Sequence, residues 1–188
     1  MMKTVNTPLL LGALALVWSA QHVLATARPP ATGSADPLIR DYRSWTRVTP
    51  KAVWVAGPLA ADCAAAAPLG SVGTSPHLDK FINVYVNRLG APPMLRRRQP
   101  RFPVGTIIVK EKRAAAKDTV PELFTVMEKM PASFDPKHGD WQYSVFDGQG
   151  KRVATDSVKH CQSCHQRVAQ GDYVFRDYLS KAQRSVMR

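Results

Sequence analysis

Two thiols and an imidazole stand close together near the carboxyl end of the chain, in the segment Cys161-Gln162-Ser163-Cys164-His165. Residues three apart lie on the same face of a helix, so both thiols can bond to the two vinyl groups along one edge of a porphyrin. His165 follows directly and offers its ring to the iron as an axial ligand. This spacing is the C-x-x-C-H signature of covalent haem attachment.

Other uses of the paired thiols fit the chain less well. A thioredoxin-like C-x-x-C is expected beside a βαβ unit, and a zinc site would need a second pair of Cys or His ligands. A disulfide between cysteines three apart closes almost no loop and so adds little stability. We therefore expect Cys161 and Cys164 to hold a c-type haem, with His165 bound to the iron. The third thiol, Cys63, is expected to be a small buried residue or to pair between subunits.

The amino-terminal segment, residues 1–27, has the composition of an export signal. Lys3 gives a weakly positive start, residues 9–18 form a short apolar run, and Ala25-Thr26-Ala27 is a cleavage site of the A-x-A type. The apolar run is too short to span a bilayer, and cleavage after Ala20 is an alternative. We predict a signal peptide over residues 1–27, a periplasmic location, and no stable membrane span after cleavage.

Basic residues outnumber acidic ones by 26 to 14, which gives the chain a formal net charge of +12. Part of the excess lies in and after a proline-rich stretch at residues 91–100, as Arg96-Arg97-Arg98 and Arg101. Such a balance is typical of nucleic-acid binding, but an exported haem protein rarely meets nucleic acid, and we expect none as a partner. The stretch is then either a solvated loop or a docking surface for an acidic soluble redox partner.

The remaining sequence predicts one domain over residues 36–188, preceded by a flexible tether at 28–35. Asp36-Pro37 has the signature of a helix start, and Leu38, Tyr42 and Trp45 follow at helical spacing. Strands are predicted, each bounded by turn residues, at residues 51–57, 81–88, 104–112, 123–130 and 141–146.

Turn and helix signals complete the predicted fold. Asp147-Gly148 is a tight turn, residues 58–76 form a loop, a short helix carries residues 157–168, and residues 172–179 close the domain. A helix, a run of strands and a haem-bearing helix predict the α+β class, with a mainly antiparallel sheet, flanking helices and a c-type haem on the carboxyl-terminal helix.

The late position of the haem motif bears on the second axial position of the iron. In a small electron-transfer cytochrome c the motif opens the chain and a methionine well downstream supplies the sixth ligand. Here Met187 is the one methionine that follows His165, and Met127 and Met130 are expected to fill gaps in the core. We therefore predict an open iron site, which suits small-molecule binding or catalysis better than simple electron carriage.

Several segments stand in the order and spacing of a known family: Phe102-Pro103-Val104-Gly105-Thr106, Val109-Lys110-Glu111, Gly139-Asp140-Trp141, the haem motif, and Asp172-Tyr173-Val174-Phe175. Over about residues 80–180 the chain resembles the cytochrome P-460 family, which includes the cytochromes c-prime beta. The resemblance implies a mostly antiparallel sheet, a five-coordinate haem with His165 as its proximal ligand, and commonly a homodimer.

The resemblance singles out Lys110. In the hydroxylamine-oxidising members a lysine at this position is bonded to a meso carbon of the haem, so the resemblance implies a catalytic and haem-binding role for Lys110. The residues alone leave two alternatives open: a lysine at the end of an apolar strand either extends to solvent or meets a group that needs an amine. Burial favours the neutral amine, which is the nucleophile that a cross-link requires. Glu111 should point to the opposite face of the strand.

The predicted pocket wall favours a second function. The hydroxylamine-oxidising members carry an arginine on the strand that corresponds to residues 81–87, and here neither face of that strand has a cation. Aromatic candidates for the pocket are Phe102, Phe124 and Trp141, although core packing explains each of them better. The resemblance therefore implies an oxidoreductase that acts on hydroxylamine or a related small nitrogen species and passes electrons to a soluble cytochrome, or a nitric oxide binding protein without turnover.

Overall fold

An antiparallel sheet of seven strands organises the part of the chain that the computed structural model describes, residues 35–55, 80–154 and 158–188. These residues belong to one compact unit that spans residues 32–188. The predicted signal peptide, the tether up to residue 34, and the loop at 58–76 with Cys63 lie outside the described residues. In the described part, no helix has the length and apolar character needed to cross a membrane.

The strands follow the chain in a simple order. They are Thr46–Arg47 (β1), Val53–Val55 (β2), Lys80–Val86 (β3), Ile107–Arg113 (β4), Leu123–Lys129 (β5), Trp141–Asp147 (β6) and Arg152–Val153 (β7). The sheet order is β1-β3-β4-β5-β6-β7, and β2 pairs with the other end of β3. The predicted α+β class with a mainly antiparallel sheet is confirmed, and the four longer predicted strands are present with their ends shifted by at most three residues.

The two faces of the sheet are covered by different parts of the chain. Since side chains alternate along a strand and the register aligns Ile108, Met127 and Tyr143 across three strands, these residues share one face. We call it the cavity face, and the carboxyl-terminal segments pack against it. The opposite face carries Tyr85, Val109, Phe124, Val126 and Phe146, covered by the segment that contains Ile39 and Tyr42.

Three α-helices complete the described fold: Ala91–Arg96 (α1), Val158–Gln166 (α2) and Lys181–Ser185 (α3). The prediction of a loop over residues 91–100 was wrong for the first part of that stretch. Prolines occupy the opening positions of α1, where a backbone N–H has no intrahelical acceptor, so their missing donor costs nothing. The helix ends where Arg97 takes an extended conformation.

The prediction of a helix that starts at Asp36-Pro37 was also wrong. Turns at residues 37–41 lead into a short 3-10 helix, Tyr42–Ser44, and β1 follows at once. The backbone bonds join residues three apart, for example from Tyr42 N–H to the Ile39 carbonyl at 3.3 Å. This tighter winding places both Ile39 and Tyr42 in the core of the opposite face, so the apolar spacing reflects burial rather than an α-helix.

The predicted turn at Asp147-Gly148 is present and leads into β7, a strand that the sequence did not indicate. One oxygen of Asp147 accepts the backbone N–H groups of Gln149 at 3.0 Å and Lys151 at 2.9 Å. The predicted helix at 157–168 is present as α2, after which the chain forms a 3-10 turn, Ala169–Gly171, and passes back over the sheet.

Candidate haem site

Helix α2 brings both thiols and the imidazole of the haem motif against the cavity face of the sheet. The helix packs against β6 and the 3-10 turn Pro136–His138, and Gln162 donates a hydrogen bond of 2.7 Å to a carboxylate oxygen of Asp135 in the preceding loop. Cys161 is 6% exposed, Cys164 9% and His165 7%. The three residues expected to hold haem therefore face the interior.

A small cavity of about 30 Å³ lies between α2 and the sheet. Its walls come from the cavity face and from the segment that follows α2. The residues that line it are Val84, Ile108, Lys110, Thr125, Val126, Met127, Tyr143, Ser144, Cys161, His165, Val174, Phe175 and Tyr178. Cys161, His165 and Lys110 thus share one cavity, although Lys110 is about 50 residues away in the chain.

The imidazole of His165 is held between two aromatic rings and one backbone carbonyl. Its ring centroid lies 5.2 Å from that of Tyr143 and 5.0 Å from that of Phe175. Its Nδ1 lies 2.6 Å from the carbonyl oxygen of Tyr173, so Nδ1 is the protonated nitrogen and Nε2 is left to bind a metal. Burial lowers the pKa of His165 to about 4, and the charge of Lys110 acts in the same direction.

A buried carboxylate fixes the turn that supplies this carbonyl. Asp172 and Tyr173 both have left-handed backbone angles, with φ of 55° and 62°. Asp172 accepts a 2.7 Å hydrogen bond from the backbone N–H of Phe102 and forms a 2.7 Å ion pair with Lys129, while its own carbonyl accepts a bond from the indole N–H of Trp141 at 2.8 Å. The sheet therefore holds the turn that orients His165.

Lys110 enters the cavity from β4 with a half-buried side chain. It lies between Val84 and Thr125 in the register of the sheet. Its ammonium group makes neither a hydrogen bond nor an ion pair with any described residue, whereas the buried Lys80 on the neighbouring strand is paired with Glu122 at 2.5 Å. Lys110 is thus a lysine without a structural partner inside the candidate haem pocket.

Tyr143 contributes a second polar group without a partner. It is 8% exposed, and its hydroxyl oxygen is buried with no hydrogen bond to any described residue. Burial raises the pKa of this phenol, and the nearby Cys161 adds to the effect, so the hydroxyl stays protonated as a donor. Neither the Lys110 amine nor the Tyr143 hydroxyl makes a polar contact with a described residue, which is unusual for buried polar groups.

The family comparison agrees with this geometry. A model of the cytochrome P460 family matches residues 39–176, which is more than half of the chain. The chain belongs to the cytochrome P460 family. A comparison with curated proteins found no match. Membership of the cytochrome P460 family implies a covalently bound c-type haem, and members of the family are typically periplasmic.

The residues of this cytochrome P460 family member fit such a group. Two buried thiols at the required spacing, a ring nitrogen available to a metal and a cavity lined largely by apolar side chains occur together. The other described histidines, His138 and His160, do not line the cavity, and His138 lies 2.8 Å from the carboxylate of Asp135. Cys161, Cys164 and His165 are therefore the residues that would hold haem and iron.

The cavity also contains residues that the sequence did not single out. Of the aromatic candidates, Phe102 and Trp141 pack edge to face in the core at 5.6 Å, and Phe124 lies on the opposite face. The aromatic lining comes instead from Tyr143, Phe175 and Tyr178. Tyr143 shares the alternation of Trp141 along β6, and that pattern could have indicated it once the haem-facing side of the strand was known.

The methionines divide between core and cavity. Met94 and Met187 are buried in the core and do not line the cavity, and Met130 is half-buried just beyond β5. Met127 is buried in the core as predicted and also lines the cavity, beside Tyr143 in the sheet register.

Proposed function

We propose that this c-type haem protein is an exported oxidoreductase that takes electrons from hydroxylamine or a related small nitrogen species and passes them to a soluble cytochrome. The observation that supports this proposal best is the position of Lys110 in the same cavity as Cys161 and His165, without a structural partner. The haem, when bound, supplies the redox-active iron. In this proposal the protein is periplasmic and forms a homodimer.

Each site residue has a distinct role in this proposal. Cys161 and Cys164 bind the porphyrin through thioether bonds, and His165 binds the iron through Nε2 while the Tyr173 carbonyl keeps its ring in place. The amine of Lys110 would hold the porphyrin edge through a further covalent bond, as the family resemblance implies. The apolar side chains around the cavity exclude water from the substrate, which strengthens electrostatic interactions inside it.

A lysine that is held for structure normally gains an ion pair or extends its amine to water. Lys110 is half-buried and lacks an ion pair with the described residues, so a structural ion pair does not account for its position. A covalent bond to haem inside the cavity would account for the position of this amine. That reasoning favours the enzyme over a haem module that is held by its thioethers alone.

A second candidate function is the capture of nitric oxide or another small neutral gas without turnover. The apolar side chains of Val84 on β3 and Ile108 on β4 favour it, and β3 contributes no cation to the cavity lining. An apolar wall offers little polar support to a charged nitrogen intermediate. In this second function Lys110 extends to solvent and makes no bond to haem.

The absorption spectrum of the purified holoprotein separates the two candidates. We expect a strongly red-shifted Soret band that is lost in both Lys110→Ala and Lys110→Arg, because arginine retains the charge but cannot form the amine bond. Lys117→Ala, at an exposed lysine outside the cavity, is the matched control and should leave the band unchanged. An ordinary haem c spectrum in all four proteins would reject the cross-link and leave gas binding, which nitric oxide titration then measures.

Mass spectrometry of the denatured protein tests the attachment itself. Cys161→Ala with Cys164→Ala should remove both thioether bonds, and adding Lys110→Ala should remove all covalent haem. Haem that stays covalently bound in the triple variant would show that the attachment residues are wrongly assigned.

A further inference from the structure

Six exposed arginines from distant parts of the chain form one basic region, which we call the arginine surface. Its members are Arg96, Arg97, Arg98, Arg101, Arg184 and Arg188. Helices α1 and α3 pack together, and the chain end joins them: Arg188 donates its backbone N–H to the Arg96 carbonyl, and Arg98 donates to the Arg188 carbonyl, both at 2.9 Å. Folding therefore concentrates charge that the sequence shows only in part.

The guanidinium groups of this surface have no carboxylate partner among the described residues. Arg98, Arg101 and Arg184 donate only to backbone carbonyls, those of Met187, Gln170 and Asp177 among them. The exposed Asp177, whose backbone carbonyl accepts a hydrogen bond from Arg184, is an acidic residue beside this surface. Six cations against so few anions leave a strongly positive region, which an acidic partner would neutralise.

The arginine surface is attached to the segment that holds the proposed iron ligand. Arg176 donates to the carbonyls of Arg97 at 2.5 Å and Arg98 at 2.6 Å. Its neighbour Phe175 lines the cavity and lies 5.0 Å from His165 between ring centroids. On the other side of the loop, the backbone N–H of Phe102, next to Arg101, is bonded to Asp172. A molecule docked on the arginines would therefore lie beside the chain segment whose Tyr173 and Phe175 contact His165.

We propose that the arginine surface docks an acidic, soluble, one-electron redox protein. This inference rests on the proposed electron transfer to a soluble cytochrome and names the surface through which it occurs. In each encounter the haem protein loses one electron and the metal centre of the partner gains it, with no other bond formed or broken. Opposite charges steer such encounters and raise the association rate by about 10-fold to 1,000-fold at low ionic strength.

The variant that tests this surface removes charge without removing a structural contact. The side chains of Arg96, Arg97 and Arg188 make no hydrogen bond or ion pair with described residues, so Arg96→Gln, Arg97→Gln and Arg188→Gln are combined. The matched control removes the same charge elsewhere, at exposed Arg40, Lys117 and Lys151, whose side chains also lack such bonds. Arg40→Gln, Lys117→Gln and Lys151→Gln are combined in it.

The measurement is the association rate of each oxidised holoprotein with an acidic soluble c-type cytochrome, by surface plasmon resonance at several salt concentrations. We expect the first triple variant to lose about 10-fold in association rate at low ionic strength, with a smaller change in dissociation rate and a weaker salt dependence. The control should stay within about 2-fold of the unaltered protein. Because no nitrogen substrate is present, the result does not depend on the Lys110 bond or on turnover.

Two results would overturn the proposal. Equal losses in the two triple variants would show that only overall charge matters. Binding of the unaltered protein to vesicles of phosphatidylglycerol and phosphatidylcholine, with no binding to the cytochrome, would assign the arginine surface to a membrane instead. If the cytochrome docks as expected but hydroxylamine reduces nothing, the docking surface stands and the proposed substrate fails.

Discussion

Lys110 and Glu111 are neighbours on β4, and their side chains lie on opposite faces of the sheet, as the alternation of a strand requires. Glu111 is fully buried on the opposite face. Its carboxylate accepts hydrogen bonds from Tyr42 and, at 3.0 Å, from the Asn83 amide, and it is paired with Arg113 and with Arg43 at 3.5 Å. Lys110, on the cavity face, has no such partner among the described residues.

The difference separates a residue that holds the fold from one that is available for chemistry. A buried charge is tolerated only when partners replace its lost hydration, and four side chains from three separate segments do this for Glu111. They tie the segment with Tyr42 and Arg43 to β3 and β4. The buried carboxylate on one face therefore fixes the structure of the sheet, whereas Lys110 and the Tyr143 hydroxyl on the other face have no described polar partner beside the haem motif.

Removing the charge of Glu111 and removing the charge of Lys110 should have very different effects on stability. Glu111→Ala should lower the free energy of unfolding by about 3 to 5 kcal/mol, because it leaves the largely buried side chain of Arg113 without its carboxylate partner. Lys110→Ala should lower it by about 1 kcal/mol or less, since no ion pair is lost. Urea unfolding of the haem-free proteins, followed by circular dichroism, measures both, because the proposed bond between Lys110 and haem is then absent from every variant. A similar loss in the two variants would mean that Lys110 is a structural residue.

Asp172 is a second paired carboxylate, like Glu111, but it lies on the cavity side of the sheet. Asp172→Asn keeps the shape and the tolerance of the left-handed backbone but weakens the ion pair with Lys129 and the bond from Phe102. We expect a loss of about 2 to 3 kcal/mol in the free energy of unfolding and a changed haem spectrum, because the turn that orients His165 loosens. Asp177→Asn, at an exposed position, is the control.

A stability loss in Asp172→Asn without any spectral change would show that the Asp172 turn supports the fold but does not orient His165. Loss in the control as well would point to a general effect of charge.

The sequence predicted what depends on local pattern and residue type. The longer strands follow from β-branched and aromatic runs, and the haem motif from its spacing alone. The opposite faces of Lys110 and Glu111 follow from alternation, which the structure confirms. Helix α1 was not predicted because its prolines favoured a loop, although they occupy the opening positions that a helix tolerates.

Contacts between distant segments could not be read from the sequence. The Glu111 cluster joins residues up to about 70 positions apart, and Arg188 meets Arg96 and Arg98 only after folding. The role of Tyr173 is equally hidden, because it acts through a backbone carbonyl that carries no side-chain signal. Such positions are fixed by tertiary packing, for which neither spacing nor propensity gives a rule.

Two buried tyrosines, one with a hydrogen-bond partner and one without, should show the smallest difference in stability. Tyr42 donates to Glu111, whereas the hydroxyl of Tyr143 has no partner among the described residues. Tyr42→Phe should lower the free energy of unfolding by about 1.5 kcal/mol, the loss of a hydrogen bond to a charged group. Tyr143→Phe should change it by less than about 0.5 kcal/mol. Urea unfolding of the two holoproteins decides, and an equal loss in both would mean that the Tyr143 hydroxyl gains a partner when haem is bound.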